Sequence, residues 1–388
     1  MSGFPAWVEV DLDALRYNLE WIRSIIPADT GILLVVKADA YGHGSVRISR
    51  FAADCGVEMF GVATLDEGKE LRRAGVEQPV LILSPVLPDE IEEAIENDLA
   101  IAVSSYRFAE AVSETAVRMG KTCSIHIEID TGMGRAGLNR RRSVEEITAM
   151  RRLENVNLEG IFTHFPAADC DMDFTTDQIS LFTRILGELE SAKVSFRYVH
   201  CSNSAAILNF PSSCFNLVRP GLLAYGYSPS ISLSERVNVL PVMSFKARLV
   251  LVKDMPQGSS ISYGRTFIAQ HESKIGVVPV GYGHGISHRL SNVGSMLFRG
   301  EKVPVVGRVT MDMTMIDLTA FPDAHEGEEV VIFGCHVKGK ITADDIAEQV
   351  GTLNYEVLCH IGKRVARVYL LRGKVESMKT LLGAYDNS

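Results

Sequence analysis

The run Ile32–Val36 is apolar without a break and rich in β-branched residues, the pattern of a strand buried on both faces. Strand-like runs recur at 59–64, 80–84, 99–103, 124–130, 158–164, 198–202 and 216–219. Between most of them the apolar residues return every three or four positions. Leu15, Leu19, Ile22 and Ile26 predict a helix over 13–26, and the segments 66–74, 89–97 and 106–119 predict others. The quartet Thr175–Gln178, TTDQ, reads as a capping box opening a further helix. Eight short strands alternating with helices over about two hundred residues predict an α/β fold, a (β/α)8 barrel with its chemistry at the C-terminal strand ends. An open doubly wound sheet is the runner-up, but no GxGxxG fingerprint follows the first strand.

The pattern changes near Pro229–Leu240. Beyond it, alternating runs such as FKARLVLVKDM, KIGVVPVGY and EEVVIFG are separated by Gly and Pro turns. Only one clear helix is expected there, 342–350, with Thr342 and Asp345 spaced as its cap. The expected organisation is a barrel over 11–232 and a mostly β domain over 233–388. The N-terminal strand, residues 1–10, is expected to pack on the second.

The net charge of −9 argues against a nucleic-acid surface. No apolar stretch reaches the roughly 18 residues of a spanning helix. The start, MSGFPAWVEVDLD, lacks the basic and apolar regions of a signal peptide. Seven cysteines without paired spacings read as reduced thiols, so a cytoplasmic location is expected. No cluster at metal-binding spacing is visible, and no metal is expected.

The strand ends carry the candidate chemistry. Lys37 ends the first buried run, and Gly42 and Gly44 mark an irregular loop after it. An amine held there is either a snorkelling surface group or a nucleophile kept neutral by desolvation. In SIHIEID, His126, Glu128 and Asp130 share one face, and the loop TGMGRAG that follows presents Arg135. FTHF places His164, HCSNS places Ser202, Asn203 and Ser204, and NLVRPG places Arg219. Singly, His164 suits a satisfied core position, Arg135 an exposed surface, and HCSNS a helix cap. Jointly they suit an anionic small molecule with a carbonyl.

The segment VKADAYGHG, 36–44, resembles the cofactor-lysine motif of alanine racemases, barrel-type enzymes that use pyridoxal 5′-phosphate. DTGMGRAG, THFPAAD, HCSNSAA, VRPGLLAYG, SYGRTF, VGYGHG, GRVTMDM and LNYEVLC resemble that family's other pieces, in its order. The resemblance implies a homodimer with shared sites acting on a small amino acid, and D-alanine production for the cell wall. It implies that Lys37 holds the cofactor and that Tyr263 is a second base on the opposite face of the substrate. A free phenol titrates near 10, so acting at neutral pH requires roughly 4 kcal/mol of stabilisation. His164 and Arg219 are the expected cationic neighbours, with Arg219 also against the pyridine nitrogen. Tyr41, Asn203, Ser204, Gly221, Leu222 and Tyr355 are implied around the cofactor. Arg135, Met311 and Asp312 are implied around the substrate, and Tyr282, Arg289 and Arg308 along the entrance. At position 128 many members carry a carbamylated lysine; here it is Glu128, expected to orient Arg135 directly. The alternatives are a racemase of broader range, such as serine, or a carrier of the cofactor without turnover.

Overall fold

The structure, a computed structural model, describes residues 3–386. It divides into two units. One holds Ala14–Ala40 and Ser45–Leu240; the other holds the chain up to Asp13, Tyr41–Gly44, and the chain from Pro241 on.

The first ten strands in chain order are β1 (Ala6–Asp11), β2 (Gly31–Val35), β3 (Met59–Val62), β4 (Val80–Ile82) and β5 (Ala100–Val103), then β6 (Cys123–Asp130), β7 (Leu138–Asn139), β8 (Val156–Phe162), β9 (Tyr198–His200) and β10 (Leu217–Val218). Eight of them pair in parallel in the order β10-β2-β3-β4-β5-β6-β8-β9, with β7 beside the end of β6. The edges β9 and β10 meet at one bridge, Asn203↔Arg219, where Arg219 N donates to Ser202 O at 2.8 Å. The result is a nearly closed barrel, not an open sheet. Strands β3, β4 and β5 are buried at every position, as continuous apolar runs require when helices cover a parallel sheet.

One local expectation fails inside this unit. The helix containing TTDQ starts earlier, at Met172, and its cap is Asp171, which accepts from Phe174 N at 3.0 Å. Thr175 instead donates to Asp171 O, and buried Gln178 donates to Thr131 Oγ1 at 3.1 Å and His164 O at 3.3 Å. A side chain committed to the strand ends cannot also close a capping box.

A feature that no expectation covered follows Lys37. Ahead of the irregular turn at Gly42 and Gly44, where the loop was expected, Ala38, Asp39, Ala40 and Tyr41 form a left-handed turn, each with φ between 53° and 54°. Such backbone costs an L-residue roughly 1–2 kcal/mol. It is held by Ala40 N donating to Val36 O (2.8 Å), Ala38 N to Glu67 Oε1 (2.7 Å) and Ser45 N to Asp39 Oδ1 (2.9 Å).

The other unit is mostly β. In its main sheet β1 lies between Met243–Arg248, antiparallel, and Ala366–Leu371, parallel. A three-stranded sheet joins Leu251–Met255, Ser273–Val278 and Thr314–Asp317, and a two-stranded ribbon joins Ser260–Ile261 to Phe267–Ile268. The expected helix appears as Ala343–Val350, capped by Thr342 and Asp345. A second helix, Asn354–Cys359, was hidden by its shortness and by a start lacking a side-chain cap.

Candidate active site

The barrel unit gathers nine of the expected residues at or just beyond its C-terminal strand ends: Lys37, Glu128, Arg135, His164, Asn203, Ser204, Arg219, Gly221 and Leu222. Arg219 is the hub. It is buried, and its Nη groups donate to His200 Nδ1 (2.7 Å), His200 O (2.9 Å), Thr163 O (2.7 Å), Cys201 O (3.1 Å) and His164 Nδ1 (3.2 Å). Its Nε–H has no hydrogen-bond partner among the described residues. Burial lowers its pKa to about 10, so the cation persists at neutral pH.

His164 corrects an expectation. Burial, followed by the charges of Arg219, Arg135 and Lys37, lowers its pKa to about 3. A ring crowded by three cations stays neutral, so it accepts from Arg219 and supplies no charge of its own. Glu128 is buried, and its desolvation raises the carboxyl pKa against the pull of Arg135 and Arg219. Its Oε2 has no hydrogen-bond partner among the described residues. Arg135 itself is exposed, on the loop after β6.

Asn203 caps the helix Ser204–Asn209 by accepting from Ala206 N at 3.0 Å, and donates to Phe165 O at 3.2 Å. The bland cap reading of HCSNS is therefore true of Asn203. Ser204 Oγ accepts from Gly221 N at 3.1 Å and Leu223 N at 3.4 Å, drawing a hydroxyl and loop amides together. With both amides committed to its oxygen, Ser204 keeps its O–H proton to donate, which suits an anion as hydroxyls at helix starts do generally.

The β unit carries the remaining residues. Tyr263 lies between the two strands of the ribbon, 72% exposed, in a turn where Ser262, Gly264 and Arg265 all have positive φ. Met311 is exposed, and Asp312 accepts from Arg364 Nη1 at 2.7 Å. Tyr282 and Arg289 line one cleft of about 640 Å³ with Glu356 and His360, and Arg289 donates to Val350 O at 2.9 Å. Arg308 lies outside that cleft, beside Gly264. Tyr41 is buried with its ring 5.9 Å from that of Tyr355; burial first, then Tyr355 and Cys359, raises its pKa far above the usual phenol range.

Three residues the sequence reading passed over support this site. Glu67 anchors the left-handed turn, whereas His200 and Phe162 pack against Arg219. The alternation in SIHIEID placed His126 beside Glu128, but nothing local showed that His200 would meet it. All seven cysteines are free thiols. Among the described residues no helix is long and apolar enough to cross a membrane.

A family model described as alanine racemase, N-terminal domain, matches residues 10–229, and one described as alanine racemase, C-terminal domain, matches 242–369. The chain is 42% identical over 373 residues to an alanine racemase of Methanococcus maripaludis, covering 95% of this chain and 100% of that protein. Among solved structures it is similar to the alanine racemase of Clostridium difficile 630, at 36% identity and a TM-score of 0.95, covering 98% of this chain and 100% of that one. The Bacillus anthracis alanine racemase with bound L-Ala-P matches at 35% identity and a TM-score of 0.93, covering 98% of this chain and 99% of that one.

Proposed function

The chain belongs to the alanine racemase family, and from that premise we propose that it interconverts L- and D-alanine with pyridoxal 5′-phosphate as its cofactor. Family membership makes it a racemase, an isomerase. The observation that carries the reading is the barrel mouth. There half-buried Lys37 follows a buried strand, with a neutral histidine and a donor-only guanidinium in its field.

The residues present fit the cofactor's chemistry. When bound, pyridoxal phosphate takes up an amine through its aldehyde and draws electrons from the substrate Cα into its ring. Lys37 would be that amine between turnovers. Arg219 would present Nε–H to the ring nitrogen, donating a hydrogen bond without surrendering a proton. Ser204, the amides of Gly221 and Leu222, Tyr41 and Tyr355 would hold the phosphate, with Asn203 fixing the helix start beside them. Tyr41, kept protonated by burial, serves as a donor there.

Racemisation needs a proton removed from one face of Cα and returned to the other. Lys37 and Tyr263 are the two groups assigned, with His164 and Arg219 as the polar links supporting them. Arg135, the Met311 backbone and Asp312 would receive the substrate carboxylate. Glu128, a buried carboxylate drawn to Arg135, would orient that guanidinium. Tyr282, Arg289 and Arg308 would line the approach. Tyr263, Met311 and Tyr282 are 72%, 53% and 49% exposed in a single chain, an aromatic and apolar surface that favours a homodimer with shared sites. The proposed location is the cytoplasm, with D-alanine supplied for peptidoglycan.

The test is incubation of the cofactor-loaded protein with L-alanine or L-serine, followed by chiral chromatography. Formation of D-alanine, with a higher kcat/KM than for serine, supports the reading. Bound cofactor with no D-amino acid formed would instead identify a carrier.

A further inference from the structure

Beneath the mouth, the barrel unit contains a polar chain that the proposed mechanism does not use. His126 on β6 and His200 on β9 are fully buried, with His126 Nδ1 2.8 Å from His200 Nε2. Arg219 Nη1 closes on His200 Nδ1 at 2.7 Å. At the far end His126 Nε2 faces Glu159 Oε2 at 3.6 Å, and exposed Arg197 lies 3.7 Å from Glu159 Oε1. The approach of His126 to Glu159 is a carboxylate drawing on an N–H at ion-pair range, longer than a hydrogen bond.

Elementary donor rules orient the whole chain. A guanidinium only donates, so His200 Nδ1 must accept and its proton must sit on Nε2. That proton points at His126 Nδ1, which must therefore accept, placing the His126 proton on Nε2 toward Glu159. Any other tautomer, or a charge on either ring, sets two donors or two acceptors against each other. The surroundings agree: burial lowers the pKa of both rings, and contact with His126 lowers that of Glu159.

The strands make room for this arrangement. A Cβ on Gly160 would lie 2.3 Å from His126 Nδ1, so the glycine leaves space for the ring. The pairing of β6 with β8 shifts register at His126. His200 stacks on Phe162 at 4.9 Å and 8°, and the Arg219 guanidinium lies over the same ring at 5.3 Å.

We propose that Glu159, His126 and His200 form a one-way chain of positioning residues that commits the Nη face of Arg219 and leaves its Nε–H as the donor offered to the mouth. What that donor meets rests on the proposed function; the polarity of the chain does not. The experiment uses the cofactor-loaded full chain labelled with 15N-histidine. Long-range 1H–15N spectra read the tautomers, and kcat, KM and cofactor content are measured for Glu159→Leu, Glu159→Asp and Gly160→Ala. The expected spectra show His126 and His200 neutral with the proton on Nε2. Glu159→Leu should release His126 from that single tautomer and lower kcat about tenfold, with KM within about twofold and full cofactor content. Glu159→Asp should recover part of the loss, and Gly160→Ala should reproduce it with every polar group present. A charged or Nδ1-protonated ring in the wild type overturns the proposal even if a variant fails to fold, as does wild-type kcat in both Glu159→Leu and Gly160→Ala. A wild type that forms no D-alanine but shows the expected tautomers would refute the proposed function and leave the chain standing.

Discussion

Glu67 holds the lysine-bearing turn, and its removal has a calculable consequence. Its carboxylate accepts from Ala38 N (2.7 Å), Ala63 N (2.7 Å) and Thr64 N (3.3 Å), while its own N–H donates to Thr64 Oγ1 (3.3 Å). In Glu67→Ala the reciprocal half of the capping box is lost, about 1 kcal/mol. The two short bonds to Ala38 and Ala63 add roughly 1 kcal/mol each, discounted for partial exposure. The expected loss on urea unfolding is therefore about 2–3 kcal/mol. The local effect should exceed the global one. Ala38–Tyr41 stand against a preference of roughly 1–2 kcal/mol per residue for right-handed or extended backbone. Without its anchor the turn relaxes and Lys37 moves, so kcat/KM for alanine should fall at least about tenfold. Glu67→Gln keeps one of the two acceptor oxygens, serving either Ala38 N or the Ala63 and Thr64 amides, and should lose about half as much stability. If Glu67→Ala stays within about 0.5 kcal/mol of wild type and keeps its kcat/KM, the anchoring argument is wrong.

The pH dependence of stability follows from His164. Its folded pKa lies near 3 and its unfolded value near 6.5, so below about 6.5 the unfolded chain binds the extra proton and stability falls with pH. That costs about 1.4 kcal/mol per pH unit down to roughly pH 4. Urea midpoints of wild type and His164→Gln should diverge in this sense, and parallel profiles would contradict it. Glu128→Gln should raise KM for alanine several-fold with little change in kcat; an unchanged KM would remove the orienting role. Alkylation at pH 8 should label exposed Cys170 and Cys335 quickly, and Cys123 and Cys201 only on unfolding, because burial raises both of the latter to about 12. Equal rates by peptide mass spectrometry would refute that ranking.

Much of the barrel was legible because its strands are buried on both faces, and an unbroken apolar run is a strong local signal. Strand ends then follow from strand runs, which is why Lys37, His164 and Arg219 are legible in the sequence. What stayed hidden was non-local. The left-handed turn after Lys37 has no glycine at Ala38–Tyr41 to announce it, since it depends on a glutamate nearly thirty positions away. The charge of His164 was misjudged because a lone histidine does not show the three cations around it. TTDQ has capping-box spacing, but tertiary contacts to Thr131 and His164 O claim Gln178.

The central claim, that an amine and a phenol work on opposite faces of one Cα, is tested most directly by deuterium wash-in. Cofactor-loaded Tyr263→Phe is incubated in D2O with L-alanine and, separately, with D-alanine, and Cα deuteration is followed by mass spectrometry. One enantiomer should still exchange through Lys37 while the other stops exchanging and no racemisation occurs. Equal exchange of both enantiomers at the wild-type rate would contradict the account.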